Sequence, residues 1–180
     1  MKAKATVIAV LGGKESGKTT TIEALIRELT RRGYKVAAVK HIPEKGFTID
    51  TKGKDTWRFA EAGAKTIVSI SPKEIATIEK GSINNFSLEA IVGKCQNSDI
   101  ILIEGFRKIL GGNPKVPKIV AVKSKREVDE ALKAFKPIIA FTGPYSAAGK
   151  DLPAPHFDVF REQAKLVELV EKIIREKRGV

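Results

Sequence analysis

At 180 residues, with 42% apolar residues spread along its length, the sequence suits one soluble domain with a sizeable core; disorder is excluded, and no apolar run approaches the ~20 residues of a membrane-spanning helix. A single cysteine, Cys95, and two histidines, His41 and His156, exclude an internal disulfide and a Cys/His zinc site, and suit a reducing cytoplasm. The net charge of +12 comes from lysines scattered among glutamates, with 6% aromatic residues to stack on bases, which argues against nucleic acid and for a field that draws in phosphorylated small molecules.

Lys2 and Lys4 before an apolar run imitate the start of a signal peptide, but the run is short and no small-residue cleavage site follows it. Residues 5–11, almost wholly apolar and rich in β-branched side chains, read instead as a strand buried on both faces of a parallel sheet. Next come Gly12, Gly13, Lys14, Glu15, Ser16, Gly17, Lys18 and Thr19, which match G-x-x-x-x-G-K-[ST], the phosphate-binding P-loop, and Thr20 follows in the helix. The two fixed glycines let the backbone curl so that successive N–H groups face an anion at a helix N-terminus. Lys18 is expected to bridge the β- and γ-phosphates, and the Thr19 hydroxyl to ligate Mg²⁺.

Ile22, Leu25, Ile26 and Leu29 form one apolar helical face, and Gly33 ends that helix. Residues 35–40 read as a second strand, completing a βαβ unit, and residues 41–53 as a loop broken by Pro43, Gly46 and Gly53. A helix over 54–62 is closed by Gly63, strands are expected at 66–70 and, after a Ser71-Pro72 turn, at 74–79, and 81–86 is turn-like. A short helix over 88–95 leads to the clearest core strand, 99–104, which stops at Gly105. Beyond the glycine and proline segment 111–117, the spacing predicts a strand at 119–122, a helix over 126–135, a strand at 137–141, a loop over 143–155 and a last helix over about 161–177. Strands alternating with helices give an α/β class: a single P-loop NTPase domain with a mainly parallel sheet flanked by helices.

A P-loop site needs an acid at the end of a neighbouring strand to hold Mg²⁺ or its water. Glu104, after four apolar residues and before Gly105, has that context, since ligands of open α/β sheets bind beyond the carboxyl ends of strands. Asp50, in the loop after the second strand, is a further candidate for the metal or for orienting a water, and Lys40, His41, Lys54, Asp55 and Arg58 are candidates for a substrate or switch surface. Lys18, Glu104 and Asp50 are thus the expected catalytic set, and Thr19, Glu104 and Asp50 the expected metal set. The guanine-reading N-K-x-D is absent, and 122–124 and 141–143 are simply loops after late strands where a base could sit.

Taken together, the P-loop, Lys40-His41, Phe47 and Asp50, Gly53-Lys54-Asp55-Thr56 with Arg58, Ala62-Gly63-Ala64, the strand 101–106 and Pro117-Lys118-Ile119 resemble the MobB family of molybdopterin-guanine dinucleotide biosynthesis adapter proteins, over residues 5–123. One departure is that histidines common after Lys-His in relatives are here Pro43 and Glu44. The resemblance implies a cytoplasmic, GTP-binding homodimer with weak Mg²⁺-dependent GTPase activity. It further implies that the protein assists a separate, MobA-type guanylyltransferase in joining GMP to molybdopterin. On residues alone, GTP and ATP remain equally open, and a small P-loop kinase acting on a metabolite is the alternative; a basic nucleic-acid-binding protein is a third.

Overall fold

The structure, a computed structural model, describes residues 5–81, 87–145 and 152–179. The chain divides into two compact units, Met1–His41 with Ser87–Val180, and Ile42–Phe86.

The first unit is built on five strands: β1 (Thr6–Gly12), β2 (Val36–Lys40), β5 (Ile100–Glu104), β6 (Lys118–Ala121) and β7 (Ile138–Thr142). They form one sheet in the order β2-β5-β1-β6-β7, with every neighbouring pair parallel. The P-loop strand is therefore the middle one. Its alternate side chains feed two cores, as a strand covered on both faces requires. Val7, Ala9 and Leu11 join Ile101, Ile103, Val120 and Phe141 in a core with Ile91, Leu110, Val128, Ala131 and Phe135. Those last five come from α3 (Leu88–Lys94), α4 (Arg107–Leu110), α5 (Lys125–Ala134) and the residue after it. On the opposite face Ile8 and Val10 join Ile100, Leu102, Ile119 and Ala140. That core is closed by Ile22, Leu25 and Leu29 of α1 (Lys18–Arg31) and Leu166, Val167, Val170 and Ile174 of α6 (Gln163–Arg178).

The second unit holds α2 (Asp55–Glu61) and an antiparallel hairpin of β3 (Thr66–Ile70) and β4 (Ile75–Glu79). α2 packs against β3, and Ile67 is buried. The hairpin forms a sheet of its own, so the alternation of strand and helix is interrupted here. The Ser71-Pro72 turn is four residues between strand ends, too short for the crossover that a parallel pair needs.

Most other elements lie where the sequence places them, within a few residues. β6 begins one residue earlier than its apolar run, because Lys118 is buried in the sheet. The four-residue α4 has no counterpart in the sequence reading. Most of the expected turn at 81–86 lies outside the described residues, as does the middle of the 143–155 loop. Among the described residues no helix is long and apolar enough to cross a membrane.

Candidate functional site

β1 ends at Gly12, where the chain turns back on itself with φ 150°, and a Cβ there would lie 2.3 Å from the Ala121 carbonyl oxygen and 2.5 Å from Ser16 Oγ. Only glycine fits. The buried Ser16 hydroxyl donates to the Gly13 carbonyl at 3.0 Å, and the Lys18 ammonium donates to the same oxygen. Glu15 (φ 56°) and Gly17 (φ 94°) both take left-handed conformations, the backbone pattern that gathers N–H groups into an anion-binding concavity. α1 opens directly from this turn with no side-chain cap and no acid in its first turn, so its leading N–H groups and dipole are left for an anion.

The loop is supported from behind by the far side of the sheet. A Cβ on Gly143 (φ 99°) would lie 2.6 Å from both the Ser16 and the Val122 carbonyl oxygens. Thr21 Oγ1 donates to Gly17 O at 2.9 Å and lies 2.9 Å from Thr142 Oγ1 in a buried pair that joins the first turn of α1 to the end of β7. Val122 to Ser124 and Thr142-Gly143 therefore serve as scaffold for the phosphate loop. Nothing local in the sequence announces this except Ser124-x-x-Glu127, the spelling of a helix cap, since Ser124 Oγ does accept from the Glu127 N–H.

On the other flank, sheet register brings the acid in. Glu104, the last residue of β5, pairs with Val10 of β1 and with Lys40 of β2. Its carboxylate, 14% exposed, accepts from Thr19 Oγ1 at 3.1 Å through Oε2 and lies 3.7 Å from Lys40 Nζ through Oε1. Beyond it Gly105 (φ 90°) has room for no side chain, as a Cβ would lie 2.9 Å from His41 Cβ. The His41 ring stacks on Phe106 with centroids 4.5 Å apart, and the His41 N–H donates to Glu104 O at 2.9 Å. The structure thus brings the Glu104 carboxylate to Thr19, 85 positions away in sequence and next to Lys18, with Lys40 and His41 beside it.

The remaining candidates belong to the second unit. Asp50 Oδ1 accepts from Thr51 N at 2.9 Å and Thr56 Oγ1 at 2.8 Å, while Oδ2 is buried with no partner among the described residues. Lys54 precedes α2 without capping it through its side chain, and Asp55 pairs with Arg58 at 3.6 Å on an exposed face. Asp50 thus braces the entry to α2 through one oxygen and leaves the other unsatisfied.

The first unit's residues fit a nucleoside triphosphate with Mg²⁺. Among the described residues no three carboxylate, histidine or cysteine side chains gather as a metal cage. Mg²⁺ characteristically takes one or two protein oxygens beside substrate phosphates and waters, and the Thr19 hydroxyl backed by the Glu104 carboxylate offers that donor set next to the uncapped helix end.

Comparison with known proteins follows the same lines. The family profile of molybdopterin guanine dinucleotide synthesis protein B (MobB) matches residues 7–143. A Methanocaldococcus jannaschii protein, named for molybdopterin-guanine dinucleotide biosynthesis as an adapter, is 37% identical over 120 residues. That alignment covers 66% of this chain and 48% of the relative, so the chain spans about half its length. The molybdopterin-guanine dinucleotide biosynthesis adapter protein of Haemophilus influenzae is 30% identical over 135 residues, 71% of this chain and 72% of the relative. The crystal structure of Bacillus subtilis MobB superposes with a TM-score of 0.69 at 26% identity, covering 93% of this chain and 96% of that one.

Proposed function

The chain belongs to the MobB family, and on that premise we propose that it is a cytoplasmic adapter in molybdopterin guanine dinucleotide biosynthesis that binds Mg·GTP through residues 12–20 and hydrolyses it slowly. The observation that carries the nucleotide part is the Thr19 to Glu104 hydrogen bond at the mouth of the uncapped α1. It sets a metal-ligating hydroxyl and the strand-end acid side by side at a helix N-terminus open to phosphate.

In this reading the N–H groups of the loop and Lys18 hold the triphosphate, Thr19 ligates the metal, and Glu104 orients Thr19 or a metal-bound water. Lys40 offsets the Glu104 charge. Mg²⁺ when bound supplies charge neutralisation at the phosphate oxygens. Within the second unit, Asp50, whose Oδ2 has no partner among the described residues, together with Lys54 at the N-cap of α2 and Asp55 and Arg58 on that helix, forms the surface shown to the partner.

The partners are a MobA-type guanylyltransferase and its molybdopterin or dinucleotide, with a second copy of this chain. The homodimer is supported by the two-stranded sheet β3-β4, whose one face exposes Val68, Ile70 and Ile75. Two strands alone are marginal in water, and such a face calls for a cover.

The test is molybdopterin-guanine dinucleotide formation by a purified guanylyltransferase with wild type or Lys18→Ala, alongside calorimetry with GTP and ATP. Stimulation by wild type only, with GTP bound more tightly than ATP, is the expected result. Equal affinity for the two nucleotides would count against the GTP reading, and transfer of the γ-phosphate to a metabolite would replace the adapter by the kinase alternative.

A further inference from the structure

Lys123 lies just beyond β6, on the opposite flank of the P-loop from Glu104. Its ammonium donates to the Lys14 carbonyl oxygen at 2.9 Å and lies 4.0 Å from Glu127 Oε1. The other oxygen of Glu127 accepts from the Lys123 backbone N–H at 2.8 Å, and the Glu127 N–H is itself capped by Ser124 Oγ at 3.3 Å. Glu127, in the first turn of α5, therefore fixes both ends of Lys123. The same carboxylate closes over the loop, since a Cβ on Gly13 would lie 3.2 Å from Glu127 Oε1.

The peptide that Lys123 grips is the one joining Lys14 to Glu15, and Glu15 is the strained residue of the loop, at φ 56° without being glycine. A left-handed conformation is unfavourable for an ordinary L-residue and persists where surrounding contacts impose it. In a trans peptide the C=O and N–H point in opposite directions. Holding the Lys14 oxygen toward Lys123 thus turns the Glu15 N–H to the other side of the peptide.

We propose that Lys123, clamped by Glu127, is a positioning residue for the phosphate loop: it holds the Lys14 carbonyl, keeps Glu15 left-handed and so presents the Glu15 N–H to the anion. The inference rests on the reading of residues 12–20 as a triphosphate site. Its consequence is specific, because a residue that shapes the loop backbone acts on phosphates whatever base they carry.

Calorimetric titration of the full chain with GTP, ATP and inorganic tripolyphosphate, for wild type, Lys18→Ala, Lys123→Met, Glu15→Gly and the Lys123→Met/Glu15→Gly double variant, separates the possibilities. Lys123→Met is expected to raise Kd for all three ligands by a common factor of about five, the worth of a charge-assisted hydrogen bond that is partly exposed. That factor persists at roughly 0.5 M salt, where a bare field effect is screened. Adding Glu15→Gly to Lys123→Met recovers most of the loss, since glycine takes the left-handed conformation freely. A loss confined to GTP, a loss that vanishes in salt, or no recovery in the double variant overturns the proposal. Unaltered binding by Lys123→Met while Lys18→Ala abolishes it overturns the clamp and leaves the site standing. Absence of tripolyphosphate binding by wild type overturns both.

Discussion

Lys118 is completely buried at the start of β6, where it pairs with Ala9 and Ile138, and among the described residues no carboxylate forms an ion pair with it. Its ammonium donates to the carbonyl oxygens of Asn113 and Lys136, tying the 111–117 segment to the turn before β7. Burial pushes its pKa down from 10.5 to about 8. At about 1.4 kcal/mol per pH unit, that fall corresponds to about 3 kcal/mol held against the folded state while the group is charged. The folded value lies below the unfolded one, so between pH 8 and pH 10.5 the unfolded chain keeps the proton that the folded chain has released, and stability rises with pH across that window. Lys118→Met removes the titration and leaves two carbonyls without their donor, at a cost of about 1–3 kcal/mol each, set against the relief of the buried charge. These opposing terms make the neutral-pH difference uninformative; its slope decides. Urea unfolding of wild type and Lys118→Met at pH 7.5, 9 and 10.5 should show wild type gaining about 3 kcal/mol on the variant across the range, with every other titration cancelling in the difference. Parallel stability curves would refute the reasoning, because they would mean that the two carbonyl acceptors outweigh burial and keep the ammonium charged.

Gly143→Ala should destabilise by about 3 kcal/mol or more, because the added carbon meets two carbonyl oxygens at 2.6 Å in a left-handed conformation, and it should also weaken tripolyphosphate binding by displacing Ser16. Urea unfolding and calorimetry read the two effects, and a destabilised variant with unchanged binding would separate β7 from the loop. Hydrogen bonds from Arg31 and Arg32 hold the Glu28 carboxyl down to about 2, below its ordinary 4.5, and Arg32 reaches on to Glu171 of α6 at 2.7 Å. This stabilisation is fully present above pH 4.5 and is lost as pH falls toward 2, so the stability gap between wild type and Glu28→Gln should close over that window in acid unfolding.

What could be read from the sequence was what is local or what a parallel sheet aligns by itself. β1, the phosphate loop and α1 follow one another, and an uninterrupted β-branched run, two glycines and a period of 3.6 specify them without reference to anything distant. Glu104 was legible because a strand of four apolar residues that ends in an acid must deliver that acid to the carboxyl edge, wherever the strand sits. Lys118 was not, since a lysine ordinarily marks the end of a buried run, and here its two carbonyl acceptors come from segments 5 and 18 residues away. α4 is too short for a period to show, and Phe106, left-handed at its N-cap, gives no sign in its residue type. The hairpin's turn was visible, but which sheet its strands join depends on pairing partners that no local pattern names. Gly143 looks like one more loop glycine until β7 is known to lie two strands from β1.

The sheet order explains why the loop's chemistry and its support come from different sides. β1 has β5 on one side and β6 on the other; β6 ends level with it at Ala121, opposite Gly12, and β5 ends two residues earlier at Glu104, opposite Val10. The β5 side, with β2 beyond, carries the ionisable groups: Glu104, Lys40 and His41. The β6 side, with β7 beyond, meets the loop mainly through backbone: the carbonyl of Ala121 against Gly12, those of Ser16 and Val122 against Gly143, and that of Lys14 held by Lys123. Backbone contacts of this kind are insensitive to side-chain charge and sensitive to a single methyl. Changes on the β5 flank should therefore alter what happens to a bound triphosphate, and changes on the β6 flank whether the loop can hold one at all. Lys123 joins the two descriptions, because its charge acts only through a carbonyl, and it is on that oxygen that the shape of the phosphate loop depends.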